Sequence, residues 1–345
     1  MVSSQLNRHA DVVTDIRSLL LTAAKQYLAK AERYVLLDHP SHWNVGDHAI
    51  WLGERELLAY AGLRASYTAS IRSLDWSVLE ATSEDDPILL LGGGNLGDLW
   101  PRHQAYREEV ISRFPTRRIV QLPQSVWFES RGSLEKARRC FESHPDFTLY
   151  ARDKRSYRFV RENFEVPTFL CPDTALWLSM SCNERPIRDV QVLLRTDQES
   201  DLGGPSLPPH LPHNDWLGRG SLPVFTTAGV GQRVASRVRK RQAIPGVTRV
   251  LSASFDILSR FHLRRGIRFL GAGRVVITDR LHAHILCFLL GIPHVALDNS
   301  YGKVHEFIDT WTGESPLVHK AATLEDAVEM ASALVGDSDS RGHES

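Results

Sequence analysis

No run of apolar residues in this 345-residue chain reaches the roughly 18 that would span a bilayer. Nor does the N-terminus carry the short apolar core and small-residue cleavage site of a secretory leader. These two absences lead to the expectation of a cytoplasmic protein with at most peripheral contact at the inner face of a membrane. Cysteine is scarce: Cys140, Cys171, Cys182 and Cys287 are scattered without CxxC spacing, which argues against a disulfide framework or a zinc site. An excess of charge is also missing. Lys plus Arg and Asp plus Glu both number 41, so the overall balance does not call for nucleic acid as a partner.

What is present is an ordinary globular composition, 42% hydrophobic and 24% charged, on a chain long enough for two cored domains. Val12, Val13, Ile16, Leu19, Leu20, Ala23, Ala24, Tyr27 and Leu28 recur at helical spacing. They predict a leading amphipathic helix packed on the body. Short strands are then expected at 34–37, 87–91, 118–122, 147–150 and 168–170, each followed by a turn or a charged helix, the rhythm of a parallel sheet. A helix is expected over 47–61. After Pro186 the alternation restarts, with strands read at 190–195, 248–252, 275–278 and 294–297. This restart divides the chain into 1–182 and 183–336, joined near 181–188, with 337–345 as a flexible tail. Between Asp197 and Pro223 lies a Gly-, Pro- and His-rich insertion, read either as a loop closing over substrate or as a plain disordered insert.

The stretch from Val275 to Lys303 concentrates the chemistry. A β-branched strand runs into Asp279-Arg280-Leu281-His282 and then a helix, so polar side chains stand where open α/β sheets bind ligands. Asp279 can cap that helix, Arg280 can hold an anion and His282 can move a proton. The competing reading of His282 is a structural histidine on an apolar helix. Similar strand-end positions occur earlier. In His39-Pro-Ser-His-Trp-Asn44-Val-Gly46-Asp47, Asn44 and Asp47 can bind hydroxyls, although a capped turn explains the same residues. Arg152, after a strand, points to the same cleft or forms an ion pair at a helix start.

Gly92-Gly93-Gly94-Asn95-Leu96-Gly97-Asp98 matches the spacing of a dinucleotide fingerprint. Its context does not: the next strand ends in Gln121-Leu122-Pro123-Gln124, where a ribose-binding acid would be required. A glycine loop admitting a sugar or phosphate fits better, with Asn95 and Asp98 as polar contacts. Asp197 and Glu199 sit in a polar loop without a partner at ligand spacing, and His282 and His284 lack the i, i+4 spacing of a helical zinc pair, so no metal site is expected.

Eight motifs in order carry a resemblance: Asn44-Val-Gly46-Asp47, the glycine run 92–98, Leu122-Pro-Gln124-Ser125, Ala151-Arg152-Asp153, Pro172-Asp173, Arg195-Thr-Asp-Gln-Glu199, Thr278-Asp-Arg-Leu-His282 and Asp298-Asn-Ser-Tyr-Gly-Lys303. From about residue 34 to 312 the chain resembles the polysaccharide pyruvyl transferases, most closely the branch of bacterial exopolysaccharide gene clusters. The resemblance implies an α/β, GT-B-like fold of two Rossmann-like domains with parallel sheets facing across a cleft, the first on the acceptor side and the second on the donor side. It implies phosphoenolpyruvate as donor substrate, a saccharide as acceptor and no cofactor. The product is a pyruvate ketal bridging two hydroxyls, with phosphate released. Residue by residue, donor binding falls on Arg280, His282 and Arg152. His282 is the expected acid, Asp47 or Asp98 the acceptor of the hydroxyl proton, and Lys303 the completion of the anion site. Gly93, Gly94, Asn95 and Gln124 are expected to line the substrate. Whether the acceptor is lipid-linked stays open. Two other readings remain at this point, a nucleotide-sugar glycosyltransferase of GT-B type and an inert glycan-binding scaffold.

Overall fold

A computed structural model of the protein describes residues 2–28, 31–195, 213–214, 216, 246–298 and 302–342. Asp197, Glu199, Asn299 and most of the 197–223 insertion lie outside these residues.

Seven short strands form the first sheet: β1 (Arg33–Leu37), β2 (Arg64–Ala69), β3 (Ile88–Leu90), β4 (Gly93–Gly97), β5 (Ile119–Trp127), β6 (Phe147–Ala151) and β7 (Thr168–Leu170). Their order is β2-β1-β3-β5-β6-β7, with β4 paired to β5, and every pairing is parallel. The second sheet contains β8 (Arg188–Leu193), β9 (His213–Asn214), β10 (Gly273–Thr278), β11 (His294–Ala296) and β12 (Val318–Lys320). It runs β12-β11-β10-β8-β9, again all parallel. Strands buried on both faces are apolar runs, as in Val35, Leu36 and Leu37 of β1 and in Val275, Val276 and Ile277 of β10, all at most 2% exposed.

The two sheets share one winding. In each, the chain places its second strand on one side of the first and then crosses to the other side. The order therefore reverses between β1 and β3 and again between β8 and β10. At such a reversal the connections leave in opposite directions and open a crevice at the carboxyl ends of the strands.

The helices are α1 (Val2–Leu28), α2 (Val45–Tyr60), α3 (Trp76–Glu80), α4 (Pro101–Arg113), α5 (Arg131–Glu142), α6 (Lys154–Asn163), α7 (Val247–Leu270), α8 (Leu281–Leu290), α9 (Lys303–Phe307) and α10 (Leu324–Gly342). A π-helical turn, Ile308–Thr312, continues α9. One apolar core lies between the sheets. It joins Leu36, Leu89 and Val120 of the first sheet to Val276 and Ala296 of the second through α1, α2, α7 and α8. Separate cores cover the outer face of each sheet.

The leading helix packs on the body as its periodicity predicts, burying Ile16, Leu20, Ala24 and Leu28. Other expectations change. Residues 248–252, read as a strand, begin α7: Leu251, Phe255, Ser259, His262, Leu263, Gly266 and Leu270 are its buried positions, a helical period that a five-residue β-branched window conceals. The glycine run 93–97 is a strand rather than a loop. Residues 337–342, expected in a flexible tail, continue the backbone of α10. No helix among the described residues is long and apolar enough to cross a membrane.

Candidate active site

A cavity of about 310 Å³ opens where the two chain reversals meet. Its first wall follows β1. Asn44 caps α2, accepting a hydrogen bond from the Gly46 N–H at 3.2 Å, and its Nδ2 donates to Asp47 Oδ2 at 2.8 Å. His42 Nε2 stands 3.5 Å from the same carboxylate oxygen. Asp47 is thus held in the first turn of α2 with one oxygen engaged and its side chain a quarter exposed to the cavity.

The second wall is the edge of β4, where Gly94 and Asn95 line the cavity. Gly93 lies behind them, and a side chain there would meet Ile50 and Asp47. Gln124 is fully buried beneath the strand. Its Oε1 accepts from the Asn95 N–H at 3.1 Å while its Nε2 donates to Leu91 O and Asn95 Oδ1, both at 3.0 Å. Arg107, also buried, donates to Asn95 Oδ1 at 2.9 Å, and burial lowers its pKa to about 10 against the pull of Asp38 and Glu108. Asn95 is therefore fixed from below. Gln124 does not line the cavity and acts as a support. Asp98 is likewise elsewhere: its oxygens accept from the N–H groups of Glu129 and Ser130 at the entry to α5, the nearest at 2.7 Å.

Arg152 closes the floor. It is 3% exposed, and its Nε donates to Ser125 Oγ and its Nη1 to Asp173 Oδ2, each at 2.8 Å. The same Asp173 oxygen lies 3.5 Å from His282 Nε2, across the gap from the second sheet. Burial works to raise the Asp173 pKa, but His282, Arg152 and the Ala175 N–H outweigh it and hold the carboxyl down at about 2. One buried anion thus ties an arginine of the first sheet to a histidine of the second. Gly46 makes this meeting sterically feasible, since a Cβ on it would lie 2.3 Å from His282 Nδ1.

The third wall follows β8 and β10: Arg195, Arg280, Leu281, His282 and, from the start of α9, Lys303. Arg280 is 4% exposed and forms the N-cap position of α8 without a side-chain capping bond. Asp279, expected to cap that helix, instead accepts from the Arg195 N–H at 2.9 Å and so joins the ends of β8 and β10. It is fully buried. Burial raises its pKa to about 6 even though the Arg195 N–H and the charges of Arg280 and Arg195 favour the carboxylate.

Three aromatic or basic residues complete the rim: Trp100, His103 and Trp216. His103 Nδ1 lies 3.0 Å from Asp38 Oδ2. Burial opposes its protonation, but the hydrogen bond and charge of Asp38 prevail and raise its pKa above the ordinary histidine value. Asp38 adopts φ 72°, a left-handed conformation rare for a non-glycine residue, at the point where β1 ends. Neither Trp100 nor His103 belongs to a motif recognised from the sequence, where no reading was made of the segment that forms the start of α4. A histidine two residues past a proline at a helix N-terminus, near a glycine strand, is the local signal that was there.

Eight of the eleven expected site residues therefore meet in one cavity: Asn44, Asp47, Gly94, Asn95, Arg152, Arg280, His282 and Lys303. Gly93 and Gln124 back it, and Asp98 stands apart. Chemically the cavity combines the cations Arg152, Arg195, Arg280 and Lys303 with three groups able to give or take a proton, His282, Asp47 and His103.

Residues 44–301 match the family model of polysaccharide pyruvyl transferases. The chain is 35% identical over 307 residues to pyruvyl transferase 1 of Schizosaccharomyces pombe, covering 85% of this chain and 73% of that protein. It is 27% identical over 296 residues to EpsO of Bacillus subtilis, a protein provisionally named a pyruvyl transferase, covering 84% of this chain and 89% of that one. An uncharacterized Klebsiella pneumoniae protein of known crystal structure shares the fold, with a TM-score of 0.57 at 18% identity over 89% of this chain and 99% of the other. The family match spans the cavity's motifs from Asn44 through His282, and on that match together with the yeast relative the chain belongs to the polysaccharide pyruvyl transferase family.

Proposed function

We propose that this chain transfers the pyruvyl carbons of phosphoenolpyruvate onto two hydroxyls of a saccharide in cell-surface glycan biosynthesis, forming a ketal and releasing phosphate. The observation that carries this reading is the shared oxygen of Asp173, which sets His282 and Arg152 side by side on a floor ringed by Arg195, Arg280 and Lys303. Phosphoenolpyruvate brings a phosphate and a carboxylate on one small carbon frame, and forked guanidinium donors suit both. We read the halves as Rossmann-like domains in a GT-B arrangement, divided near 182, with the donor on the second and the acceptor on the first.

In this scheme protonated His282 delivers its proton to the methylene carbon, converting it to a methyl group. The positive charge that develops on the adjacent carbon is met by a saccharide hydroxyl, whose proton passes to Asp47 or to the His103–Asp38 pair. The bond from that carbon to the phosphate oxygen then breaks, phosphate departs on the arginines, and the second hydroxyl adds to close the ketal, its proton returning to the now neutral His282. Asp173, held anionic, stands 3.5 Å from the His282 Nε2 that gives up the proton. The scheme uses no metal and no nucleotide.

The test is phosphate release from purified protein with phosphoenolpyruvate and a glycan acceptor. Release that requires both substrates and falls about 10²–10⁴-fold in His282→Gln supports the assignment of donor and acid. Protection from thermal unfolding by nucleotide sugars but not by phosphoenolpyruvate would replace it with a glycosyltransferase reading.

A further inference from the structure

We propose that the outer face of α7 is a docking surface for a membrane whose lipids carry acidic headgroups. The helix has a buried side that packs into the central core and an exposed side that none of the described residues covers. On the exposed side Val250 is 71%, Ile257 70% and Phe261 43% exposed. These residues follow one another at intervals of seven and four, and on a helical projection they fall within about 40° of a common line. Large side chains this accessible are expected singly on a surface, not as a stripe.

The charge around the stripe identifies its partner. Five arginines against a single aspartate lie between residues 247 and 270, in a chain whose total charges cancel. Arg249, Arg260, Arg264 and Arg268 are all exposed; by helical position Arg268 falls on the apolar line, Arg264 about 40° from it, and Arg249 and Arg260 along one edge at roughly 80–100°. Asp256 is turned inward, where it accepts hydrogen bonds from Trp51 Nε1 at 2.8 Å and from Arg55 Nη2 at 3.2 Å. Glu56 and Glu184 each meet an arginine at the margin, at 3.0 and 3.3 Å, yet Arg260 remains 53% and Arg268 76% exposed at the side chain. An apolar line flanked by arginines is the pattern of a helix lying in a bilayer interface: the apolar side chains enter the acyl boundary and the guanidinium groups reach acidic headgroups. Nucleic acid would use the arginines but leave the apolar stripe in water.

The placement is also useful. Arg265, on the flank of α7, donates to Trp43 O at 2.6 Å and to Trp216 O at 3.3 Å, and Trp216 lines the cavity. A bilayer against α7 therefore lies beside the cavity rim at Trp216.

Vesicle sedimentation with the full chain tests this without phosphoenolpyruvate or acceptor, so its outcome is separate from that of the proposed reaction. The expected result is binding to phosphatidylglycerol vesicles at least about 10-fold tighter than to phosphatidylcholine vesicles, weakened in high salt. Ile257→Glu with Phe261→Glu should reduce it by about 10-fold or more, and Arg264→Gln with Arg249→Gln, which leaves the apolar residues of the stripe in place, by several-fold. Circular dichroism of each variant verifies its fold, and the arginine pair decides alone if the glutamate pair does not fold. Absence of phosphatidylglycerol binding overturns the proposal, as does wild-type binding by either folded variant pair. A concentration-dependent dimer that Ile257→Glu dissolves, without lipid binding, would make the face a protein contact instead.

Discussion

Removing the negative charge of Asp173 deprives Arg152 and His282 of the same partner. Asp173→Asn keeps the volume and the acceptor for the Ala175 N–H but leaves a buried arginine without its counter-ion, at a cost of about 3–5 kcal/mol. A lower midpoint in denaturant and a loss of phosphate release exceeding that of Asp98→Asn, whose carboxylate serves only the α5 entry, are expected. Asp279 gives the opposite stability effect. Its folded pKa of about 6 lies above the ordinary 3.8, so the fold binds the proton more tightly than the unfolded chain does. Stability tied to this group is therefore greatest below about pH 4, falls as pH rises toward 6, and stays low above it. Asp279→Asn, still able to accept from the Arg195 N–H, should flatten that slope and raise stability at pH 7 by up to about 3 kcal/mol, measured by urea unfolding across pH. At this scale the sequence was readable as to place: Arg280, His282 and Asp47, singled out because polar groups there follow strands, all line the cavity. Asp173 showed only as part of a motif, and His103 not at all, because their roles depend on what the fold brings beside them.

At the scale of elements, β1, β3, β5, β6, β7, β8, β10 and β11 followed from their apolar runs, whereas β2, β4, β9 and β12, whose sequences carry no such run, were not read. The exceptions are instructive. The run Val247-Thr-Arg-Val-Leu-Ser252 satisfies a strand pattern in isolation, and only the 24-residue length of α7 shows which period governs. The run 93–97 carries almost no side chain to pattern, so its pairing with β5 was hidden. That pairing is demanding: Gly97 has φ 122°, and a Cβ there would fall 1.6 Å from Trp127 O. Gly97→Ala is expected to lower the melting temperature by several degrees and to reduce phosphate release together with it, because β4 carries Gly94 and Asn95 into the cavity. Gly62→Ala, at a positive φ of 85° with open space around the Cβ, should cost only the backbone strain, about 1 kcal/mol.

For the whole molecule, the restart of the alternation near residue 186 was visible, but the shared core was not, since periodicity reports that a face is buried and not against what. Because that core joins both sheets through α1, α2, α7 and α8, calorimetry should record a single cooperative unfolding transition. Residues 183–345 expressed alone should expose the central apolar surface and aggregate, which light scattering would detect; a soluble, cooperatively folded fragment would refute the shared-core account. The leading helix carries this union furthest. Arg17 Nη2 donates to Leu178 O at 2.7 Å in the first half, while His9 Nδ1 lies 3.0 Å from Ser315 Oγ, 306 residues away, and its ring meets Phe288 edge-on at 4.7 Å. During synthesis this helix leaves the ribosome before any of its distant partners exists. Its final seat is completed only after the residues around Ser315, 306 positions further on, have been translated, so a segment made early is locked in place late.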